Sequence, residues 1–441
     1  MSVLSARLCH AGDVRWVVRR LLIVTGLRRP VPRPVLLQSH LAPSASDRSA
    51  NIARSSQQVP KVLVFSHNLN REGAPISLKE LVAGLVERDE VHAEVYSYAD
   101  GPLRAEYEAL GISVKVLPQV LRKLSTLKRV DDETSSLAGL LQESGAQVVL
   151  ANTLLNFPAV LAAEKAGIPS VWNPRESEPW NQFFQFLADP VAQRAIAAMG
   201  LPRRVVFVAQ ATRDVWQEFE SECRFSVVHN ALNPTRFARW LEKDRTELRR
   251  ALCWGQEDVV FLCTGTVCAR KGQADAIEAL ACIAQRLQVP VRLVLVGDSS
   301  LPYAVRLKRL AIRWRRAGRV RVEFVDATAD IGQFYRASDV FMLCSRVESY
   351  PRVVLEALAF GLPIITTRVF GVAEQLPDPC DALFYEPSDV PRLAEHMLEL
   401  ASRPASRESF ARRSRLAHGR MASFEEMCQS YARILRDAAG A

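Results

Sequence analysis

The sequence predicts an α/β chain built as two doubly wound, Rossmann-like domains, and three observations carry that prediction. At 441 residues the chain exceeds one ordinary core and divides into two or three domains at about 150 residues each. Its 49% apolar and 24% charged residues describe an ordinary globular protein with ample material for packed layers. From residue 61 onward, short β-branched runs alternate with helix-length segments, as in parallel sheets covered by helices. The apolar runs are continuous rather than alternating, as strands buried on both faces require.

Taken in order, the strand candidates of the first half are KVLVFSH, AEVYSY, SVKVLP, QVVLAN, PSVWNP and RVVFVA. Those of the second half are FSVVHN, DVVFLCTG, VRLVLVG, VRVEFV, VFMLC, PIITTRV and ALFYEP, separated by helical segments such as GQADAIEALACIAQRL. The turn-like segment NALNPTRFARW marks entry into the second domain. The expected domains are 60–210 and 211–418, with 419–441 a helix returning to the first domain. Ligands of such sheets sit beyond the C-terminal strand ends, so an interdomain cleft is the expected site.

Residues 1–59 form a separate basic leader, with nine arginines against Asp13 and Asp47, while the formal net charge of the whole chain is +9. The remainder is almost balanced, which argues against nucleic acid as a partner. The leader's apolar stretch LLIVTGL is too short to span a bilayer and makes a poor secretory signal. It reads as disordered or peripheral, so a chain starting near Val59 is expected to stay folded, and its charge suits an anionic membrane surface. The expected location is the cytoplasm, with peripheral contact at the inner face of the membrane. Nine cysteines form no C-x-x-C pair and the seven histidines do not gather near them, so no metal site is expected.

Two stretches carry chemistry. In ESYPRVVLEALAFG, Pro351 suits a first helical turn and Gly361 a C-terminal stop, which places Glu348 just outside a helix start and Glu356 within it. A helix start favours a phosphate, and carboxylates accept hydrogen bonds from sugar hydroxyls, so the pair suggests a nucleotide-sugar site. In CTGTVCARKGQADAIEAL, a strand leads through Gly265, Thr266, Arg270, Lys271 and Gly272 into a helix, which suits a diphosphate. It is neither a Walker A loop nor G-x-G-x-x-G, and alone it reads more readily as a solvated basic loop. No persuasive D-x-D is present for a divalent ion. Residues 303–316 predict a core-docked helix with Tyr303, Leu307, Leu310, Ala311 and Trp314 inward and a solvated basic face, the alternative being a membrane-surface helix. His67 and His229, at strand ends, read as structural.

Taken together, ESYPRVVLEALAFGLPII, ASDVFMLCS, GTVCARKGQ and FGVAEQL resemble the retaining glycosyltransferase family 4 (glycosyl transferases group 1) of GT-B fold, over roughly residues 60–438. The resemblance implies that Glu356 binds the ribose hydroxyls, that Glu348 contacts the donor sugar, and that Lys271 with Arg270 stabilises the leaving diphosphate. It places Gly265, Thr266, Ser349, Tyr350 and the amides of Gly371 and Val372 near the donor. It also brings in Gly73 and Ala74 of REGAPISLKEL. On the acceptor side it points to His67, Arg175 and Glu176. It further implies a UDP- or GDP-sugar donor as substrate, no cofactor, no metal, and a glycan or lipid-linked acceptor.

The chain departs from the pattern in four places. Thr266 stands where many relatives have arginine, Ala231 where glycine is common, Arg175 with Glu176 where numerous relatives have histidine, and the first loop has one glycine, Gly73, instead of two. A nucleotide-sugar epimerase of similar build and a catalytically silent binding subunit are the alternative readings.

Overall fold

The computed structural model describes residues 31–41, 59–117, 124–220, 224–298, 302–314 and 319–440. The leader outside 31–41 and 59, together with Arg315, Arg316 and the side chains of Arg313 and Trp314, lies outside the described residues. The chain forms two compact units. The first takes the described residues up to Asn70, then Ala74–Val228, and those from Cys428 onward; the second takes Arg71–Gly73 and His229–Met427.

In the first unit the strands are β1 (Lys61–Ser66), β2 (His92–Ser97), β3 (Ser113–Val116), β4 (Val148–Asn152), β5 (Ser170–Asn173), β6 (Arg204–Phe207) and β7 (Phe225–Val227). Among the described residues they form one sheet in the order β3-β2-β1-β4-β5-β6-β7, with every pairing parallel. β7 is the FSVVHN segment, which the sequence pattern had placed in the second domain. Its register against β6 makes it the edge of the first sheet, with Val205 opposite Phe225 and Phe207 opposite Val227. The chain therefore leaves the first unit at Val228 rather than near residue 210. The C-terminal helix Phe424–Ala439 counts with this unit from Cys428, and its Arg436 pairs with Glu90 at 2.9 Å.

The second unit holds β8 (Val259–Thr264), β9 (Val291–Val296), β10 (Val320–Val325), β11 (Val340–Leu343), β12 (Ile364–Thr367) and β13 (Leu383–Tyr385), all parallel in the order β10-β9-β8-β11-β12-β13. Strand periodicity divides its core between two layers. Val259, Phe261 and Cys263 face one cluster with Val340 and Met342, whereas Val260 and Leu262 face the other with Phe341 and Leu343. Both faces are therefore covered, which explains the continuous apolar runs. Burial pushes the Cys344 thiol up to about 12, so it behaves as a small apolar filler. Among the described residues no helix is long and apolar enough to cross a membrane.

Part of the expected peripheral leader is packed. Val31 is buried and its N–H donates to Asn181 O at 2.9 Å; Leu37 N–H donates to Ala197 O at 2.9 Å. Leu36 and Leu37 pack on the core that holds Ala195, Ile196 and Ala198. Further along, Ser39 Oγ and His40 N–H both donate to the Glu164 carboxylate at 2.7 Å. This strap passes so close to Gly200 that a Cβ there would lie 2.1 Å from Leu37 O. A chain beginning at Val59 is thus expected to lose stability, by roughly 2–4 kcal/mol from the apolar side chains it no longer buries. Gly200→Ala is expected to destabilise the full chain by about 1–3 kcal/mol, since a backbone atom must move. The same substitution should be nearly silent in the chain starting at Val59. Urea unfolding of the four proteins as a double-mutant cycle checks both outcomes.

Candidate active site

Neighbouring strands β8 and β11 are not consecutive in the chain: the connection from β8 runs to β9 on one side, and β11 joins on the other. At such a switch point the two following loops diverge and leave a crevice at the strand ends. The loop after β8 carries Gly265, Thr266, Arg270 and Lys271, and the loop after β11 carries Ser345, Arg346 and Glu348. Topology alone therefore brings together residues 77 positions apart.

Close backbone contact fixes the first loop. Gly265 has φ +124°, and a Cβ on Gly297 would lie 2.1 Å from Gly265 O. Gly272 has φ +64°, and a Cβ there would lie 2.0 Å from Cys344 O, so only glycine lets this turn rest on the end of β11. Arg346 then fastens the turn. Its N–H donates to Arg270 O at 2.8 Å, its Nη1 donates to Ala269 O at 3.0 Å, and its Nη2 donates to both oxygens of buried Asp275 at 3.0 Å. Gln273, at the start of the helix Gln273–Ile283, donates from Nε2 to Thr266 O at 3.0 Å.

Within this frame Lys271 Nζ meets Glu348 Oε1 at 2.5 Å, with side-chain exposures of 16% and 8%. Ser345 Oγ donates to the same oxygen at 2.6 Å, and Arg270 Nη1 donates to Val347 O at 2.8 Å. Burial pushes the Glu348 carboxyl up, but the charges of Lys271 and Arg270 with the two hydrogen bonds outweigh it and hold the group below the usual carboxylate range. Sequence reading gave the lysine and the glutamate separate roles. In the folded chain they are one ion pair.

Glu356 lies on the helix Arg352–Ala359, for which Pro351 is the N-cap, one position before the expected first turn. The helix stops as expected, with Gly361 at φ +64° and Leu362 N–H donating to Ala357 O. Tyr335 OH donates to Glu356 Oε2 at 2.9 Å and also meets Thr264 Oγ1 at 2.8 Å. The Tyr335 ring is held between Phe341 and Phe360 at 5.8 and 5.5 Å. Burial, then the Glu356 charge, drives this phenol far above its ordinary range, so it remains a hydrogen-bond donor. Arg236 and Arg352 approach Glu356 Oε1 at 3.6 and 3.8 Å.

The remaining expected donor contacts of this unit are placed as follows. Ser349 is half-buried on the loop beside Glu348; Tyr350 is buried, stacked at 4.6 Å on the His229 ring, with its carbonyl accepting from Asn230 Nδ2. His229 also meets Glu374 at 3.1 Å, which makes it part of this loop's support. Gly371 caps the short helix Val372–Gln375, and the Val372 N–H is already committed to Val369 O at 3.1 Å. Residues missed in the sequence are Tyr335, Ser345, Arg346 and Asp275. Ser345 had a local signal, three positions before Glu348; the others act over distances that no short motif records.

In the first unit the acceptor-side candidates gather at the ends of β1, β4 and β5. Thr153 adopts φ +75°, a strained value for threonine, and its Oγ1 lies 3.3 Å from His67 Nδ1. Arg175 Nε donates to Asn152 Oδ1 at 2.5 Å, and Asn152 Nδ2 donates to Ala74 O at 3.4 Å. Gly73 opens the helix Gly73–Val86, and a Cβ there would meet nothing within 4 Å. Glu176 accepts from the N–H groups of Leu154 and Arg175 at 3.0 and 2.9 Å, yet burial dominates and raises its pKa. Among the described residues no group of three or more His, Cys, Asp or Glu side chains could hold a metal ion.

A family profile described as Glycosyl transferases group 1 matches residues 244–417, and one described as Glycosyltransferase Family 4 matches residues 71–236. The chain belongs to glycosyltransferase family 4. Its curated relatives include the lipopolysaccharide glucosyltransferase WaaG of Escherichia coli K12, 26% identical over 44% of this chain and 50% of the relative. A GDP-mannose-dependent monoacylated α-(1-6)-phosphatidylinositol monomannoside mannosyltransferase of Corynebacterium glutamicum is 27% identical over 56% and 66%. The chain thus aligns with about half to two thirds of these relatives' lengths. Among solved structures, Anabaena Alr3699/HepE in complex with UDP and glucose superposes with a TM-score of 0.70 at 20% identity, covering 85% of this chain and 99% of that one. WaaG superposes at 0.67 with 17% identity, covering 85% and 99%. These likenesses establish the GT-B fold for the family 4 chain.

Because the folded pKa of Glu348 lies below its unfolded value, the ionised carboxylate stabilises the native state above about pH 4.3. That contribution fades as pH falls through the lowered folded value. Glu348→Gln is therefore expected to flatten the acid limb of a stability–pH curve. Lys271→Met, which leaves a buried charge unpaired, is expected to cost about 3–5 kcal/mol at pH 7 and less below pH 4. Chemical denaturation across pH measures both.

Proposed function

We propose that this protein transfers a sugar from a UDP- or GDP-linked donor to an acceptor hydroxyl, with retention of anomeric configuration. The observation that carries the reading is the buried Lys271–Glu348 pair at the β8/β11 switch point, with Arg270 and Glu356 on the adjoining loop and helix. In this reading the diphosphate rests against Lys271 and Arg270, whose fixed charge stabilises it as the leaving group. Glu356, oriented by Tyr335, accepts from the ribose hydroxyls, and Glu348 accepts from hydroxyls of the sugar. Cationic side chains take the part a divalent ion would otherwise play, so the reaction is metal-independent and needs no cofactor.

Family membership and the named activities of the relatives favour transfer over epimerisation or a silent binding role. WaaG acts in lipopolysaccharide and the Corynebacterium enzyme on a phosphatidylinositol mannoside, as their names state. Assembly of a cell-surface polysaccharide or glycolipid, on a glycan or lipid-linked acceptor at the cytoplasmic side, is the corresponding setting here. The first-unit group of His67, Arg175 and Glu176 is assigned to the acceptor, and Gly73 and Ala74 to the loop that approaches donor and acceptor.

Calorimetry with UDP and GDP tests the donor half of the reading. Glu356→Ala is expected to weaken the preferred nucleotide by about 10- to 100-fold, the worth of a charge-assisted hydrogen-bond set, with the fold intact. Lys271→Ala is expected to lower kcat by roughly 10²- to 10³-fold. Unchanged nucleotide affinity in Glu356→Ala, or interconversion of free donor without acceptor in product analysis, would overturn it.

A further inference from the structure

The helix Pro302–Trp314 carries four cations, Arg306, Lys308, Arg309 and Arg313, and no carboxylate. Its inward face is spent on the core: Ala304, Leu307 and Ala311 are buried, and Tyr303 and Leu310 pack against the same cluster. The sequence expectation of a core-docked helix describes that face. It leaves the outer face unexplained. There Val305 and Ile312 are 42% and 58% exposed, and Arg306 and Arg309 are exposed beside them. Positions 305, 309 and 312 follow the i, i+4, i+7 spacing of one helical stripe. Two aliphatic side chains thus stand in water between two guanidinium groups, on a helix already anchored by its other side.

We propose that this outer stripe is a docking surface for an anionic lipid bilayer, with Arg306 and Arg309 at the headgroups and Val305 and Ile312 inserted among the acyl-chain ends. Arginine on such a face attracts acidic headgroups, while its stem and the neighbouring aliphatics gain from leaving water. A soluble polyanion would answer the charge but offer nothing to Val305 and Ile312. Nucleic acid would call for a stacking platform, and the ring under Arg306, that of Tyr303 at 5.9 Å from the guanidinium, is packed against the core. Position supports the assignment as well. The helix follows β9, the neighbour of β8, so its first turn leaves from the strand-end edge that carries the Lys271 turn. The inference does not rest on the proposed reaction: it follows from charge, exposure and helical spacing alone.

The test is flotation of the full chain with vesicles of phosphatidylcholine alone, or of phosphatidylcholine with about one third phosphatidylglycerol. Wild-type protein is expected to bind only the anionic vesicles and to be released by salt. The double variant R306Q/R309Q is expected to lower partitioning by about thirtyfold, at roughly fivefold per cation. V305S/I312S, which leaves the charge unchanged, is expected to lower it by roughly tenfold. Both variants should keep the wild-type Tm, because the altered side chains face outward. Failure of wild-type protein to bind anionic vesicles would overturn the proposal. Full binding by R306Q/R309Q would do so too, placing the contact in the arginine-rich leader. Loss on charge removal with no effect of V305S/I312S would also overturn it, by reducing the surface to a polyanion site without insertion.

Discussion

The second unit is organised around one buried ion pair, Lys271 with Glu348. Neither charge is tolerable alone at that depth, since an ammonium or carboxylate taken out of water without a partner costs several kcal/mol. Yet the pair is not sealed. Lys271 keeps 16% of its side chain exposed, and Glu348 has a second donor in Ser345. That asymmetry matters chemically. On the proposed reading a diphosphate at Lys271 would compete with Glu348 for the ammonium, and the Ser345 hydrogen bond would keep the carboxylate in place.

Such a pair is useful only if its two loops cannot drift. Gly272 has no Cβ to separate the Arg270–Lys271 turn from Cys344 O, and Arg346 crosses the gap to bond that turn and Asp275 together. A second charge pair, Arg346 with Asp275, thus serves to position the first. On the other side, Tyr335 does the same for Glu356, wedged between two phenylalanine rings so that its hydroxyl has one place to point. Rigidity in this unit thus comes from side chains that hold the loop and helix residues of the site in place.

The strands of both sheets were legible because continuous β-branched runs have few alternative folds. What was not legible is partnership. FSVVHN has the composition of a strand in either domain, and only the backbone register Val205–Phe225 assigns it to the first sheet. A similar limit applied to the leader, whose Val31, Leu36 and Leu37 look no different in sequence from the apolar residues of LLIVTGL. The two glutamates, Lys271 and Arg270 were found because helix-start signals and clustered cations are local. Tyr335 and Asp275 were missed because their roles depend on residues 21 and 71 positions away. Local chemistry announces itself in sequence, and its scaffolding does not.

Glu348 and Glu176 show how far environment, rather than residue type, sets the chemistry of a carboxyl group. Burial acts upward on both. At Glu348 it is overcome by two cations and two side-chain donors, so the group stays ionised as a permanent acceptor. At Glu176 the opposing forces are two backbone N–H bonds and the more distant His67, which are dipolar or weak, and burial prevails. A group kept ionised suits static recognition of hydroxyls, whereas a raised pKa brings the protonated form within easier reach. Glu348 and half-buried Glu176 thus shift in opposite directions, and the charges of Lys271 and Arg270 at Glu348 make the difference.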